Sequence, residues 1–463
     1  MVISMNGIFS ALRRMTNHIL EPARRTVHHA YIENGDGFAQ SRRNILAQNL
    51  TYSLSANITG GIFFTGLLLI ILERESTAIQ NHYIGLITSV QVLAGMLQFF
   101  APILTRRMKT YRAFGLICRM VHHVINIIFL GALPLLPMPD IAKANLFVVL
   151  AFLSSAVINI STPALMRWHV HTCIPEDKRN NWFSIKQLVI PIVTAVVNLG
   201  AGFIVDQYDL RGEQLTGILV VRGIALVFVL LELRTHFKIK ETPYPPLDQT
   251  TSLKDMVVEP MRDKKARAVI LIRVIWIIAT QIPGQYFNAY LLENLHVDYT
   301  FITACSATTI PLMMIMMPIW NKTVRRKGWL SSLWLSTTLY ALPAILNCLT
   351  FENTWWLYLV SIVYTHVISP GYNLCFENLP YLYKPKTNHT AFLSFYQGVA
   401  GVASFLGALI GKYFIQFTDG LTIPLFGHEI VNRQYVWLFT FAGLILLSVI
   451  VAITSKNWEK EQS

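Results

Sequence analysis

Apolar residues along this chain come in long blocks separated by short polar turns, without sustained alternation of period two. Twelve blocks can be marked, at 44-72, 80-104, 113-137, 143-166, 184-206, 212-236, 266-292, 298-320, 329-350, 354-378, 390-416 and 432-455. A helix needs roughly 20 apolar residues to cross the hydrocarbon core of a bilayer. Each block is therefore read as one transmembrane helix. A barrel would show segments of about ten residues with alternating polarity. The expected fold is all-α and integral to the lipid bilayer, with twelve transmembrane helices.

Composition agrees. Of 463 residues, 53% are hydrophobic and 14% charged, where a soluble domain carries about a quarter charged residues. The net charge of +13 acquires meaning from its placement. With the first segment inside, the inner segments hold 29 of the 38 lysines and arginines. The outer turns hold Arg74, Lys143, Arg211 and Arg433. That asymmetry predicts both termini in the cytoplasm of a multi-pass protein. It also removes the case for nucleic acid as a partner, since the charges are spread over short loops and form no basic groove lined with aromatics.

The basic turns also repeat. PILTRRMKTYR begins at Pro102 and PIWNKTVRRKG at Pro318, 216 residues later. PEDKRNNWFS begins at Pro175 and PKTNHTAFLS at Pro385, 210 residues later. Two landmarks in one order at nearly one offset indicate an internal duplication. The expected organisation is a cytoplasmic segment 1-43, a six-helix bundle 44-236, a cytoplasmic linker 237-265, a second six-helix bundle 266-455 and a tail 456-463. The linker contains Pro243, Pro245 and Pro246. Residues 1-20 have no uninterrupted apolar core, so no signal peptide is expected there. They read equally as a surface helix or as a basic tail.

Several motifs are discounted. Cys118, Cys173, Cys305, Cys348 and Cys375 are scattered and fit packing better than a disulfide framework. His169, His171 and Cys173 have no standard zinc spacing, and no metal or cofactor is expected. The glycosylation-like triplets at Asn49, Asn57, Asn159, Asn321 and Asn388 fall in spans or on the inner side. No phosphate-binding Gly-x-x-x-x-Gly-Lys-Ser/Thr loop occurs. No nucleophile–base pair suggests an enzyme.

Twelve spans, inner termini, a duplicated six-helix plan and a central linker resemble the major facilitator superfamily of secondary transporters, in its bacterial form. The resemblance covers nearly the whole chain. The family's signature turn, Gly-x-x-x-Asp-Arg-x-Gly-Arg-Arg/Lys, lies between spans two and three, with a weaker copy between eight and nine. The two basic turns occupy those places, with Arg106 and Lys322 at the first basic position, and Arg107 and Arg325 beside them as gating residues. The match is incomplete. Ala101 stands at the first glycine, Thr105 and Asn321 at the acid, and Met108 and Val324 at the second glycine. The acid's part in closing a gate would then fall to other residues.

The resemblance implies two bundles related by a pseudo-two-fold axis, acting as a monomer in the plasma membrane (the inner membrane of a bacterium). They would rock about one central site lined by helices one, four, seven and ten. The middles of those spans carry Asn57 and Thr59, then Asn159, then Gln281, Gln285, Tyr286 and Asn288, then Tyr364, His366, Tyr372 and Asn373. Amides are unfavourable in hydrocarbon and should face the bundle interior or water. Pro283 and Gly284 should weaken their helix at mid-membrane. Among the charged residues within spans, Arg273 is a candidate anion partner. Arg119 and Arg222 are expected to pair with interior acids or carbonyls. Glu232 and Glu377 lie toward the inner ends of spans six and ten and fit ion pairing better than proton carriage. His366 is the titratable candidate nearest the midplane.

The reading is a transporter of a small solute, favouring a polar neutral one such as a sugar, with H+ or Na+ as a coupling ion or none. An exporter of drug-like or lipid-like molecules, and a non-transporting sensor or scaffold of the same fold, are the alternatives.

Overall fold

The computed structural model describes residues 37–105, 108, 110–169, 173–241, 258, 260–284, 286–382, 389–425 and 427–462. Within them twelve helices follow one another. They are α1 (Ala39–Ile71), α2 (Thr77–Met96, extended by short turns to Thr105), α3 (Arg112–Leu135), α4 (Asp140–Trp168), α5 (Glu176–Asp209) and α6 (Gln214–His236), then α7 (Lys264–Asn294), α8 (Tyr299–Lys327), α9 (Trp329–Cys348), α10 (Leu357–Leu382), α11 (His389–Phe417) and α12 (Trp437–Gln462). Among the described residues, ten helices are long and apolar enough to span a bilayer. The polar positions of α2 and α10 keep those two below that threshold, and many of them are buried. In α2, Gln80, Asn81, Thr88 and Ser89 face protein. Lipid-type surface lies elsewhere, at residues such as Ile117, Phe203, Leu230 and Phe417.

The duplication is visible in the helix starts. Ala39 and Lys264 open α1 and α7, 225 residues apart. Arg112 and Trp329 open α3 and α9, 217 apart. Both first helices are also broken at corresponding depth. α1 breaks at Gly60–Gly61, where Gly61 has φ +51°. α7 breaks after Gln281, where Gly284 has φ +46°. A side chain other than glycine rarely adopts that conformation. A break inside a bilayer exposes backbone polar groups, which is tolerated where they meet protein or a water-filled space. At the second break the partner is α11, packed so closely that a Cβ on Gly411 would collide with the Ile282 carbonyl oxygen.

We call the end carrying the turns 105–112 and 321–328 the basic face. Toward the other face, one apolar core runs through both halves. It joins Leu67, Leu130, Phe147, Val205 and Val221 with Tyr286, Leu291, Ile302 and Ile415. Toward the basic face the cores are separate. One, around Ile45, Trp168, Trp182 and Ile185, belongs to α1–α6. The other, around Ile272, Trp276, Phe376 and Leu447, belongs to α7–α12. The halves meet through α2 on α11 and α5 on α8. The α2–α11 contact persists as far as Met96 and Gly401.

Two local features refine the sequence expectations. Residues 237–241 do not leave as free linker. Glu241 accepts the backbone N–H of Tyr111 and, at 3.0 Å, of Arg112, so it caps α3. Trp168 and Ser41 hold the Lys240 backbone at 3.2 and 3.0 Å. A small antiparallel hairpin, β1 (Ile423–Leu425) and β2 (His428–Ile430), joins α11 to α12.

Candidate functional site

Hydrogen bonds between the halves, among the described residues, lie toward the face opposite the basic one. On α5, Asp206 accepts the N–H groups of Tyr299 and Thr300 at 2.9 and 2.8 Å. These are the first residues of α8, so a carboxylate from one half caps a helix of the other. Negative charge at a helix N-terminus is favourable, both for the orphan N–H groups and for the helix dipole. Gln416 of α11 bonds to His82 of α2. Arg433, 1% exposed, donates to Asn81 of α2 at 2.7 Å and to Glu293 of α7 at 2.6 Å. Phe63 stacks on Tyr299 beneath these contacts, centroids 5.8 Å apart. Together they seal the opposite face.

The signature-turn positions do not contribute to that seal. Thr105 is buried and spends its hydroxyl on Ala101 of its own helix, at 2.8 Å. Lys322 and Arg325 are exposed. Arg106 and Arg107 lie outside the described residues.

Below the seal, the predicted pathway residues divide. Asn57, Gly61, Gly284 and Asn373 are exposed although they lie deep in their helices. Gln281, Asn159, Asn288, Tyr364 and Tyr372 are half-buried. Asn57 and Asn159 also bond to carbonyls one turn back, Ser53 and Ser155. Others turn away from any pathway. Thr59 is buried and bonds to Ser55 of its own helix. Tyr286, 1% exposed, packs under Gly85 of α2 in the sealed region. His366 is held by Thr308 and Thr309 of α8, at 2.9 and 2.6 Å, beside the irregularity at Thr308. Tyr372 joins an aromatic group with Trp276 and Tyr340, at 4.5 and 5.2 Å. Gln285 lies outside the described residues.

A recess at the α1 break is lined by Gly60, Gly61, Thr65 and Gln91 and has about 50 Å³ of free space. That is room enough for ordered water against the broken backbone.

The largest buried charge group was only partly anticipated. Arg119 of α3 pairs with Glu232 of α6, and His123 reaches the other Glu232 oxygen at 2.8 Å. Tyr52 of α1 covers the guanidinium at 4.5 Å. Next to them His122 bonds to Ser154 of α4 at 2.8 Å. Arg222 donates to the Asn126 carbonyl, inside a π-helical stretch of α3, Val124–Phe129. Such a stretch disturbs the ordinary carbonyl pairing, and the arginine supplies a donor there. All of this is internal to the first bundle. The spacing Arg119–His123, one helical turn, was the available signal. Its partner on α6 required the fold. Among the described residues, no group of three His, Cys, Asp or Glu side chains could hold a metal ion.

Comparison with known proteins places this geometry. The model of the Major Facilitator Superfamily matches residues 51–381. No curated protein sequence matches the chain. Among solved structures, a mutant of the nucleoside transporter NupG is similar at 13% identity, with a TM-score of 0.62 over 89% of this chain and 99% of that one. A D-xylose-proton symporter is similar at 12% identity, with a TM-score of 0.61 over 89% and 96%. A bacterial homologue of the iron transporter ferroportin was solved in two states. Its inward-facing form gives 14% identity and a TM-score of 0.62 over 89% and 97%; its outward-facing form gives 14% and 0.56 over 90% and 99%.

Proposed function

This chain belongs to the Major Facilitator Superfamily, and from that premise we propose that it carries a small polar solute across the plasma membrane, one face opening at a time. It is a multi-pass transporter, not an enzyme. The observation that carries the mechanism is the asymmetry between faces: one apolar core and three polar links join the halves on one side, while separate cores face each other on the other. A rocking pair of bundles held at one end of its cycle has that form.

The basic face is the cytoplasmic one by the distribution of lysine and arginine, which makes this the inward-facing state. The exposed amides Asn57 and Asn373, with the half-buried Gln281 and Asn159, offer donors and acceptors to a hydroxyl-bearing solute such as a sugar. The unit that transports is the monomer, with H+ or Na+ as the coupling ion or with none. Proteoliposomes loaded with a candidate solute provide the test. A transporter shows saturable counterflow of some solute, and Asn57→Ala and Asn373→Ala should raise the half-saturating concentration. If no solute of a broad panel exchanges, the chain is a sensor or scaffold on the same fold.

A further inference from the structure

Most cations within the spans are engaged inside their own bundle. Arg119 has Glu232, Arg222 has the Asn126 carbonyl, Arg273 lies over the Phe376 ring at 4.8 Å and Lys186 over the Trp182 ring at 5.5 Å. Arg433 instead reaches across to the other half. It lies in the short helix Asn432–Tyr435 before α12 and is 1% exposed. Its Nε–H goes to Asn81 Oδ1 of α2 at 2.7 Å, and its Nη1 to Glu293 and Asn294 of α7 at 2.6 and 3.1 Å. Its Nη2 is buried with no acceptor among the described residues, and so is the Nδ2 of Asn81. In the fixed fork of a guanidinium, the Nε–H and one Nη2–H point the same way. The free Nη2 therefore aims alongside the Asn81 amide.

A third donor lies one turn along α2. Gly85 follows Asn81 by four residues, and the Tyr286 hydroxyl of α7 rests on it, where a Cβ would collide with it. Cβ positions four residues apart on a helix stand about 5–6 Å from each other. That hydroxyl is buried and makes no hydrogen bond among the described residues. The Lys412 stem of α11 rests on the same glycine. Lys412 is 8% exposed, its ammonium stands 5.5 Å from the Tyr413 ring, and it makes no hydrogen bond or ion pair among the described residues. Three unmatched donors and a cation without a carboxylate thus meet where α2 packs on α7 and α11. The nearest acid, Glu293, is already matched by Arg433. Counting from Thr77 at 1.5 Å per residue, the place is roughly 6 to 12 Å in from the face opposite the basic one.

A buried donor without an acceptor is costly. Water is the usual remedy, but it brings two hydrogens that need acceptors of their own. Among the described residues, no buried side-chain oxygen of α2, α7 or α11 is left free to take them, apart from the Tyr286 hydroxyl itself. An anion needs only donors, and Asn81, Tyr286 and Arg433, each 1% exposed, enclose a small one better than a bulky one. We propose that Asn81, Tyr286 and Arg433 bind a chloride ion at the seam of the two halves, with Lys412 balancing its charge. The donors come from both halves, so parting α2 from α7 dismantles the site. A ligand that binds one state better shifts the population toward that state. Chloride on that side of the membrane therefore holds the face shut. The binding stands without the transporter reading; its effect on opening rests on that reading.

The test uses the full chain in nanodiscs of phosphatidylcholine, with sodium chloride replacing sodium gluconate at constant ionic strength. Chloride should raise Tm with saturation, and bromide should do the same. In crystals grown with bromide, its anomalous signal should lie between Asn81, Tyr286 and Arg433. Tyr286→Phe removes one oxygen and keeps the ring. Without chloride it should be as stable as the parent, or more so, because an unmatched hydroxyl is gone. It should raise the chloride concentration for half the effect by about tenfold, as expected for a hydrogen bond to a charged group. Lys412→Gln should raise it as well. If that variant fails to fold, Lys412→Arg replaces it and should respond to chloride as the parent does. Opening is read by a cysteine at Ile84, on a background free of native cysteines, labelled from the sealed side by an impermeant maleimide. Chloride there should slow labelling at least about fivefold. No stabilisation by chloride over gluconate, an undiminished response in Tyr286→Phe, or bromide bound only elsewhere overturns the proposal and leaves these donors to water. Stabilisation with labelling indifferent to chloride keeps the ion and overturns its hold on the face, and with it the alternation read there.

Discussion

Between α3 and α6 a guanidinium, an imidazole and a carboxylate meet out of solvent. Between α9 and α12, the corresponding pair in the second half, the contacts are hydroxyl to hydroxyl: Ser331 with Ser455 at 3.1 Å, and Thr338 with Ser448. The helix starts place Ser336 opposite Arg119 in the repeat, and Ser336 bonds only to Leu333 of its own helix. One plan has been fastened in two ways. In lipid, helices gain nothing from hiding apolar surface against each other, so close packing and polar contacts must hold them. A charged pair holds firmly once formed and makes its parts interdependent. Hydroxyl pairs hold weakly and leave the helices separable.

The sharpest way to break this comparison is Glu232→Gln. It leaves Arg119 buried with a weaker, uncharged partner, and removing one partner of a buried ion pair costs about 3–5 kcal/mol. Unfolding in denaturant should show a loss of that size. Arg119→Met combined with Glu232→Met removes both charges and should recover most of it. A double variant as unstable as the single one would mean that the carboxylate does more than compensate the guanidinium.

Next in size is Arg433→Gln, which tests where the halves touch rather than how each is built. Hydrogen bonds to a charged group are worth about 1.5–3 kcal/mol, so the sealed face should open at least about ten times more often. With the five native cysteines replaced, a cysteine at the buried Ile84 reports the opening through its reaction with an impermeant maleimide added from that side. An unchanged rate would leave Asp206 and the apolar core as the effective seal.

The weaker fastening gives the smaller effect. Thr338→Val and Ser448→Ala should each cost about 0.6 kcal/mol, the average for a polar contact between transmembrane helices. A loss as large as that of Glu232→Gln would erase the distinction between the halves.

Much of the helix order was legible because membrane helices obey a length rule. The α7 break was legible from Pro283 and Gly284. The break in α1 was not singled out, because Gly60 and Gly61 sit inside an apolar run where glycine more often serves packing. The roles of the amides were harder to read. Asn57 and Thr59 are two residues apart on one helix, so they point in different directions, one exposed and one buried. Periodicity alone could have separated them only if the facing side of α1 were known. Tyr286 and His366 went to interhelical packing for the same reason. The seal at the face opposite the signature turns was not predictable at all. The contacts that seal the opposite face, from Asp206, Gln416 and Arg433, join residues 93 to 352 positions apart in the chain and meet only when the two halves are folded together.

The smallest expected effect concerns acidity at the sealed face, where a carboxylate cap joins the halves beside their shared apolar core. Asp298, in the turn before α8, has its carboxyl held above the ordinary range, by burial first and then by the charge of Asp206, with Asp209 also close by. A raised value means that the sealed state binds the proton more readily than a state in which Asp298 is fully hydrated. Sealing is therefore favoured at low pH. The advantage fades as pH rises from the ordinary carboxylate value of about 3.9 through the raised one, and is constant above it. Solvent screens much of the effect. Labelling of the Ile84 cysteine should thus be somewhat slower near the bottom of that window than at neutral pH, and Asp298→Asn should flatten the difference. Faster labelling on acidification would instead point to loss of the Asp206 cap on α8, and would make that carboxylate, and not its neighbour, the group that sets how the two halves part.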